Sequence, residues 1–178
     1  MTRPAPSGPL HRAVGIETEY GVASAHVASV AEGTSPPIGV EDAVKEIFNH
    51  TAQRHRSAHH YLANGARLYV DIGSHPEYAG AECRYLSDVI AQDRAGDAIL
   101  AGMLAVANDA LAQRAEASRE PLARIHLLKA NPDAQGNTFG CHENYQIPRD
   151  SQLPMARFVS FLAARQIPVG AGTLPSGG

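Results

Sequence analysis

Two short segments of the sequence concentrate side chains that bind metal ions or phosphate. Glu17 and Glu19 alternate with apolar residues along residues 13–23. A second alternating segment covers residues 66–71, and its polar positions are Arg67, Tyr69 and Asp71. Alternate side chains of a β-strand point to the same side, so each segment predicts a strand with one charged face. Carboxylate oxygens suit hard divalent cations, and an arginine can pair with phosphate oxygens through two parallel hydrogen bonds.

Further titratable side chains lie close to these segments in the chain. His75 and Glu77 occupy a turn-rich stretch at residues 73–77, and a predicted strand at 141–147 carries His142 on one side and Glu143 on the other. If the strands are neighbours, one sheet face collects several carboxylates, a guanidinium and imidazoles. Like charges that repel and resist burial make such a face costly unless something neutralises them. The pattern therefore indicates a magnesium- and phosphate-handling surface.

Each of these groups also has a simpler interpretation. Glu17 and Glu19 could face solvent on an edge strand, Arg67 and Asp71 could form a surface ion pair, and residues 75–77 could be an ordinary turn. His142 considered alone is best explained as a hydrogen-bonded core histidine. Both cysteines, Cys83 and Cys141, are expected to be reduced and buried.

Other classes of site find less support in the spacing. The sequence contains neither G-x-x-x-x-G-K-[ST] nor a dinucleotide fingerprint. Zinc ligands could come from the histidines, the cysteines and the glutamates, but neither H-E-x-x-H nor C-x-x-C spacing occurs. A net charge of -3 and a pI near 6.3 argue against a general nucleic-acid binder.

The remaining pattern predicts a single α+β domain in a chain of 178 residues. Helices are expected near 41–54, 88–116 and 154–165, with Ser87 as the N-cap of the second; a further strand is expected near 124–129. Residues 1–12 are predicted to be a mobile tail and residues 13–178 the folded part of the chain. The N-terminus has no apolar run, and no stretch is expected to be long enough to span a membrane. The expected location is therefore the cytoplasm, away from membranes.

Four motifs in order resemble the Pup ligase and Pup deamidase family. They are Gly15–Gly21 (GIETEYG), Asn64–Asp71 (NGARLYVD) continued by Gly73–Cys83 (GSHPEYAGAEC), Gly140–Tyr145 (GCHENY), and Arg165-Gln166 with Gly170–Gly172 (GAG). The resemblance implies a glutamine synthetase-like fold, in which helices pack behind a curved antiparallel sheet that forms a cradle. It also implies that ATP phosphorylates the side-chain carboxylate of the C-terminal glutamate of Pup, a small protein modifier, and that a substrate lysine then attacks the anhydride.

The resemblance assigns roles to individual positions. It implies that Glu17, Tyr69 and Glu77 bind Mg²⁺, that Arg67 binds ATP, and that Asp71 is the catalytic base that deprotonates the lysine. Gly80 corresponds to an ATP-contacting threonine of the ligase pattern, and Glu19 and His142 are expected to line the same site. Ala130 and Pro132 depart from the family pattern in the loop before the third motif.

A short gap between the first two motifs, together with Gly73-Ser74-His75 and Gly140-Cys141-His142, favours the ligase branch. The alternatives are a Pup deamidase and an inactive relative that only binds nucleotide or modifier. Since family members continue well beyond the Gly-Ala-Gly segment, the cradle is expected to be incomplete. The implied partners are Pup, lysine-bearing substrate proteins and a missing C-terminal portion.

Overall fold

The structure, a computed structural model, describes residues 12–27, 35–55, 59–119, 121–132 and 136–169. The tail predicted at residues 1–12 lies outside the described residues except for Arg12, and so does the Gly170–Gly172 segment. The described chain contains seven strands and three helices, which confirms the α+β class. In chain order they are β1 (Val14–Glu19), β2 (Gly21–His26), α1 (Val40–His55), β3 (His60–Tyr61), β4 (Arg67–Asp71), β5 (His75–Ala79), α2 (Leu86–Ser118), β6 (Ala123–Leu128), β7 (Cys141–Tyr145) and α3 (Met155–Val169).

The strands form two antiparallel sheets. The larger has the order β3-β4-β5-β1-β7, and the smaller pairs β2 with β6. The single strand predicted over residues 13–23 is wrong, because the chain leaves the large sheet at Tyr20 and enters the small one at Gly21. Tyr20 is buried, and its hydroxyl donates a hydrogen bond of 2.6 Å to Asp97 on α2. This bond ties the crossing point between the sheets to the helix layer.

The segment at residues 73–77 was predicted as a turn, and this is correct only for its first part. Residues 72–74 make the turn, whereas His75 begins β5, which pairs along its whole length with β4. Gly73 adopts a φ of 86° and Ser74 a φ of 63°. Glycine adopts such positive angles without steric cost, which lets β4 and β5 form a tight hairpin.

The apolar side of the large sheet packs against α1 and α2. Leu68 and Tyr78 face each other across β4 and β5 and are almost fully buried. Ile47 and Phe48 of α1 and Leu100 of α2 complete this core. Val44 of α1 and Ala107 of α2 are buried beside them, whereas Val40 at the start of α1 is exposed. Charged side chains are consequently left to the opposite side of the sheet.

The long helix α2 begins at Leu86, two residues before the predicted start. Tyr85 is the N-cap and makes no side-chain capping bond, so the assignment of Ser87 as the cap is wrong. The expectation that no segment is long enough to span a membrane is also wrong, since α2 has the length and the apolar composition to do so. Contacts of α2 with α1, β1 and β6 are those of a helix packed on a domain core.

Gly96 on α2 provides a test of this packing. A β-carbon at this position would lie 2.7 Å from the Tyr78 ring, whereas one at Gly102 would meet nothing within 4 Å. Alanine normally stabilises a helix by about 1 kcal/mol relative to glycine, but overpacking costs about 1–3 kcal/mol. We expect Gly96→Ala to lower the free energy of unfolding and the control Gly102→Ala to raise it, as measured by urea denaturation. Equal stabilisation by both variants would contradict the packing of Tyr78 on α2.

Candidate functional site

Strand register brings the predicted site residues onto one side of the large sheet. Directly paired residues of antiparallel strands share a face, and Glu19 pairs with Glu77, Tyr69 with Glu77, and Asp71 with His75. Glu17 pairs with His142 on the other flank of β1. We call this side the acidic face; its members are Glu17, Glu19, Arg67, Tyr69, Asp71, His75, Glu77 and His142. The alternative that Glu17 and Glu19 face solvent on an edge strand is wrong, because β1 lies between β5 and β7.

Two groups of potential metal ligands share Glu77. One combines Glu77 with Glu17 and His142, and the other combines it with Glu19 and Asp71. The ligand atoms within each group lie within 4.8 Å of one another. Three carboxylates or two carboxylates and an imidazole around one point form a donor set that fits a hard divalent cation such as Mg²⁺.

Glu77 shows most clearly that this face requires a positive charge. Its side chain is only 2% exposed. Burial raises the pKa of its carboxyl group, and repulsion from Asp71, Glu17 and Glu19 raises it further, while a hydrogen bond from Tyr69 lowers it. A buried carboxylate among three others is unfavourable without compensation. A divalent cation beside Glu77 would remove this penalty, so the chemistry of the residues fits the metal that the sequence predicts.

Tyr69 lies at the edge of both ligand groups and bonds to Glu77 through its hydroxyl. Burial and this bond raise the pKa of the phenol well above its ordinary value, so Tyr69 stays protonated at neutral pH. A neutral phenol can orient Glu77 as a hydrogen-bond donor. Its predicted role as a magnesium ligand would use the neutral oxygen and would be weaker than that of the carboxylates.

Arg67 does not form the suggested ion pair with Asp71. Its guanidinium lies 4.1 Å from the centre of the Tyr69 ring, and its Nη2 lies 2.8 Å from Nδ1 of His59. The Nε atom is buried and has no hydrogen-bond partner among the described residues. Arginine in such a position retains hydrogen-bonding capacity for a phosphate group.

His59 is a site residue that the sequence reasoning missed. Its ring stacks on Tyr69 at 5.8 Å and contacts Arg67, just before β3 begins. The two-residue strand β3 leaves no alternation to detect, so the sequence pattern does not place His59 beside β4. The sequence signal for His59 is its position next to His60, which begins the strand that pairs with β4.

Glu19 forms the most enclosed ion pair on the acidic face. Its Oε2 lies 2.7 Å from Nδ1 of His75, and the two side chains are 10% and 17% exposed. The His75 ring also packs against Phe139, with 4.6 Å between ring centres. The prediction that Glu19 lines the site with the other carboxylates agrees with this position.

His142 is exposed and contacts Glu17 at 3.2 Å, so the interpretation of it as a core histidine is wrong. The adjacent Glu143 points to the other side of the sheet, as predicted, where it binds Arg165 of α3 and accepts a hydrogen bond of 2.6 Å from Tyr145. The arginine holds the pKa of Glu143 below its ordinary value. Glu143 and Arg165 therefore anchor α3 to β7 and take no part in the acidic face.

The cysteines do not join either ligand group. Both have free thiols, as expected, and Cys83 is buried, but Cys141 is exposed, which corrects the prediction for that residue. Cys141 pairs with the buried Thr18, on the side of the sheet opposite the acidic face. The two ligand groups found among the described residues consist of carboxylates and one histidine, a set that favours a hard cation over zinc.

Gly80 lies in a shallow groove next to the acidic face. The groove is lined by residues that include Gly15, Glu17, Gly80 and Asn144. A β-carbon on Gly80 would lie 3.1 Å from the carbonyl oxygen of Ile16, which already accepts the Gly80 N–H. Gly80 can therefore contribute shape to this groove but no hydroxyl group, unlike the threonine of the ligase pattern.

Comparison with known proteins identifies relatives over the same region. The family model described as Pup-ligase protein matches residues 12–177. A Pup–protein ligase from Corynebacterium diphtheriae is 42% identical over 171 residues, which cover 93% of this chain and 33% of the relative. A Pup–protein ligase from Brachybacterium faecium is 45% identical over 163 residues, covering 90% of this chain and 32% of the relative.

Two solved structures are similar as well. The crystal structure of the complex between the prokaryotic ubiquitin-like protein Pup and its ligase PafA matches with a TM-score of 0.79 and 35% identity, over 94% of this chain and 33% of that chain. A structure of the Pup ligase PafA in complex with ADP matches with a TM-score of 0.57 and 33% identity, over 85% and 32%.

The chain spans about a third of the length of the curated relatives that it matches. Relative to those proteins, the seven strands and three helices form an incomplete version of the fold. The match nevertheless includes every residue of the acidic face. With that face and a family match over residues 12–177, the chain belongs to the Pup-ligase protein family.

Proposed function

We propose that this chain supplies the cation- and nucleotide-handling face of a Pup–protein ligase, which joins the C-terminal glutamate of Pup to substrate lysines with ATP and Mg²⁺. The observation that carries the proposal is the convergence of Glu17, Glu19, Asp71 and Glu77 on one sheet face around the buried Glu77. The relatives named Pup–protein ligase support ligation over deamidation. The ADP complex of a similar ligase supports nucleotide binding.

The cation would be held by Glu17 and Glu77, with His142 completing the group. When bound, Mg²⁺ supplies positive charge beside the phosphate oxygens during phosphoryl transfer. The contribution of Glu17 and Glu77 is to fix that charge at one place on a rigid sheet, since both lie in paired strands. Tyr69 orients Glu77 through its hydroxyl group.

Arg67 is proposed to bind the phosphates. Its guanidinium is held flat against Tyr69 and is oriented by His59, so little side-chain entropy is lost when it meets a phosphate. The groove at Gly15 and Gly80 extends the acidic face and would receive another part of the nucleotide. Because Gly80 cannot provide a hydroxyl, the binding energy must come from the other groups.

Asp71 is proposed as the base in the second step. An attacking lysine must lose a proton, and a carboxylate at the edge of the ligand groups can accept it. Nearby Glu19 and Glu77 add negative charge, which would attract the lysine ammonium group. The substrate then reacts within a fixed geometry, which accounts for much of the rate of such transfers.

The proposed partners are Pup, lysine-bearing proteins in the cytoplasm, and the part of the fold that the relatives have beyond the matched region. Exposed apolar side chains on α3 support the last of these. Met155, Val159 and Phe161 are each more than half exposed. Water-exposed apolar surface of this kind marks contact sites between polypeptides.

Titration calorimetry with Mg·ATP tests the cation and nucleotide role directly on the 178-residue chain. We expect saturable binding that requires Mg²⁺. Conjugation of Pup ending in glutamate to a lysine-bearing protein is then measured with the chain alone and with the C-terminal portion of a relative added. The proposal is supported if the chain alone binds Mg·ATP and conjugation occurs only after the C-terminal portion of a relative is added. Failure to bind Mg·ATP would contradict it, and release of ammonia from Pup ending in glutamine would indicate a deamidase.

A further inference from the structure

We propose that Glu19 and His75 form a positioning pair that fixes the turn carrying Asp71, and that Glu19 acts through this contact and does not bind the cation. The inference rests on the proposed function, because Asp71 is the base of that reaction. It adds a role for two residues that the family resemblance leaves without one. The argument starts from the β4–β5 turn.

Asp71 ends β4 and His75 begins β5, and the two residues are directly paired across the hairpin. The turn between them is closed by a hydrogen bond of 3.1 Å from the Ser74 N–H to the Asp71 carbonyl oxygen. A β-carbon on Gly73 would lie 3.0 Å from Nε2 of His75. The turn is therefore folded directly over the imidazole ring, and a change in the ring position would move the turn and Asp71 with it.

The ring is held in one orientation from two directions. Glu19 Oε2 contacts Nδ1 of His75 at 2.7 Å, and Phe139 packs against the ring. Both members of the pair are mostly buried, and a largely desolvated hydrogen bond to a carboxylate is stronger than one in water. Loss of either contact would free the ring to rotate under the turn.

Glu19 is itself fixed from the opposite side. Its backbone N–H donates to the Gly140 carbonyl oxygen at 2.9 Å. A β-carbon on Gly140 would lie only 2.5 Å from Glu19 Oε1, so the carboxylate fills the space that a side chain would occupy. Glu19 and His75 thus connect the loop before β7 and strand β1 to the β4–β5 turn, whose backbone bonds to Asp71.

A competing role for Glu19 is that of a cation ligand, since it belongs to the group with Asp71 and Glu77. The two roles depend on different properties of the side chain. Positioning requires an oxygen that accepts the hydrogen bond from Nδ1, which glutamine also provides. Cation binding requires the negative charge, which glutamine lacks. Glu19→Gln and Glu19→Ala therefore separate the two roles.

The primary measurement is NMR of the complete ¹⁵N-labelled chain, because it does not depend on turnover. We expect the His75 Nδ1–H signal and the Asp71 and Ser74 amide positions to be retained in Glu19→Gln. In Glu19→Ala the Nδ1–H signal should be lost and both amides should shift. Gly140→Ala keeps the Glu19 carboxylate but displaces it. We expect it to give the same NMR changes as Glu19→Ala, and it serves as the second variant if Glu19→Ala does not fold.

Conjugation kinetics provide the second measurement. We expect Glu19→Ala to lower kcat by about 10- to 100-fold, the cost of misplacing a reacting group by about 1 Å, with the KM for Mg·ATP changed less than about threefold. Glu19→Gln should lose less kcat than Glu19→Ala, because glutamine keeps an oxygen that accepts the hydrogen bond from His75. Unchanged amide signals of Asp71 and Ser74 in Glu19→Ala would overturn the positioning role. An equal loss of Mg²⁺ affinity in Glu19→Ala and Glu19→Gln would overturn it as well. If the wild-type chain does not conjugate Pup even with the C-terminal portion of a relative added, the proposed function fails separately. The NMR result still decides whether the pair positions Asp71.

Discussion

Asp71→Asn is expected to abolish isopeptide formation, with a fall in rate of about 10²–10⁴-fold, the contribution typical of a general base. Asparagine has nearly the same shape but cannot take a proton from the lysine ammonium group. Asp71 lies outside the group that combines Glu17, Glu77 and His142, so we expect Mg·ATP affinity to persist. Conjugation rate and calorimetric affinity, measured on the same preparation, test both halves of this prediction.

The nucleophile can be changed to separate proton transfer from all other roles of Asp71. Hydroxylamine is neutral near pH 7 and needs no base before it attacks an acyl phosphate. Asp71→Asn should therefore form Pup hydroxamate at close to the wild-type rate while it fails with lysine. Asp109→Asn, at an exposed position on α2, is the matched control and should retain both reactions. An equal defect with hydroxylamine would place Asp71 in the phosphorylation step instead.

The composition of the acidic face could be predicted because strand alternation is a local property. Arg67, Tyr69 and Asp71 alternate with buried Ala66 and Leu68, and a period of two needs no knowledge of the partner strand. Which strands are neighbours is not encoded locally. The pairing of Glu19 with Glu77 and of Glu17 with His142 came from the register of β1 with two strands that are distant in sequence.

The errors have a common physical origin in tertiary contacts. Tyr20 ends β1 because its ring is buried and its hydroxyl binds Asp97, 77 positions away. Residues 75–77 contain a proline and follow a glycine, which is typical of a turn, yet Pro76 is buried within β5 because the sheet packs on the helices. His142 was considered alone, and its contact with Glu17 becomes visible only when β7 is placed beside β1.

The burial of Glu77 links the fold to the proposed chemistry. A carboxyl group that is buried and surrounded by three others has a raised pKa, which is a tendency away from the ionised form that binds a cation. Binding of a divalent cation reverses this tendency by favouring the ionised form. A bound cation therefore offsets the repulsion among the carboxylates of the acidic face. As a result, the Mg²⁺ affinity depends on each carboxylate near Glu77.

Glu17→Ala follows from this coupling and is expected to weaken Mg·ATP binding by about 10- to 100-fold, as for loss of an anionic ligand close to a cation. The same change removes one source of repulsion on Glu77, so the pKa of Glu77 should fall toward its ordinary value. Calorimetry gives the affinity, and ¹³C-detected titration of the Glu77 carboxyl group gives the pKa. Glu116→Ala, at an exposed position on α2, should change neither quantity.

For Glu17→Ala, both the Mg·ATP affinity and the pKa of Glu77 must fall if Glu17 binds the cation. Better ionisation of Glu77 would by itself strengthen cation binding, so weaker binding despite a lower Glu77 pKa reports the lost attraction between Glu17 and the cation. Unchanged Mg·ATP affinity together with a lower pKa would mean that Glu17 contributes only long-range repulsion. In that case the cation would belong to the group formed by Glu19, Asp71 and Glu77, and Glu19→Gln should then show the loss of affinity expected here for Glu17→Ala.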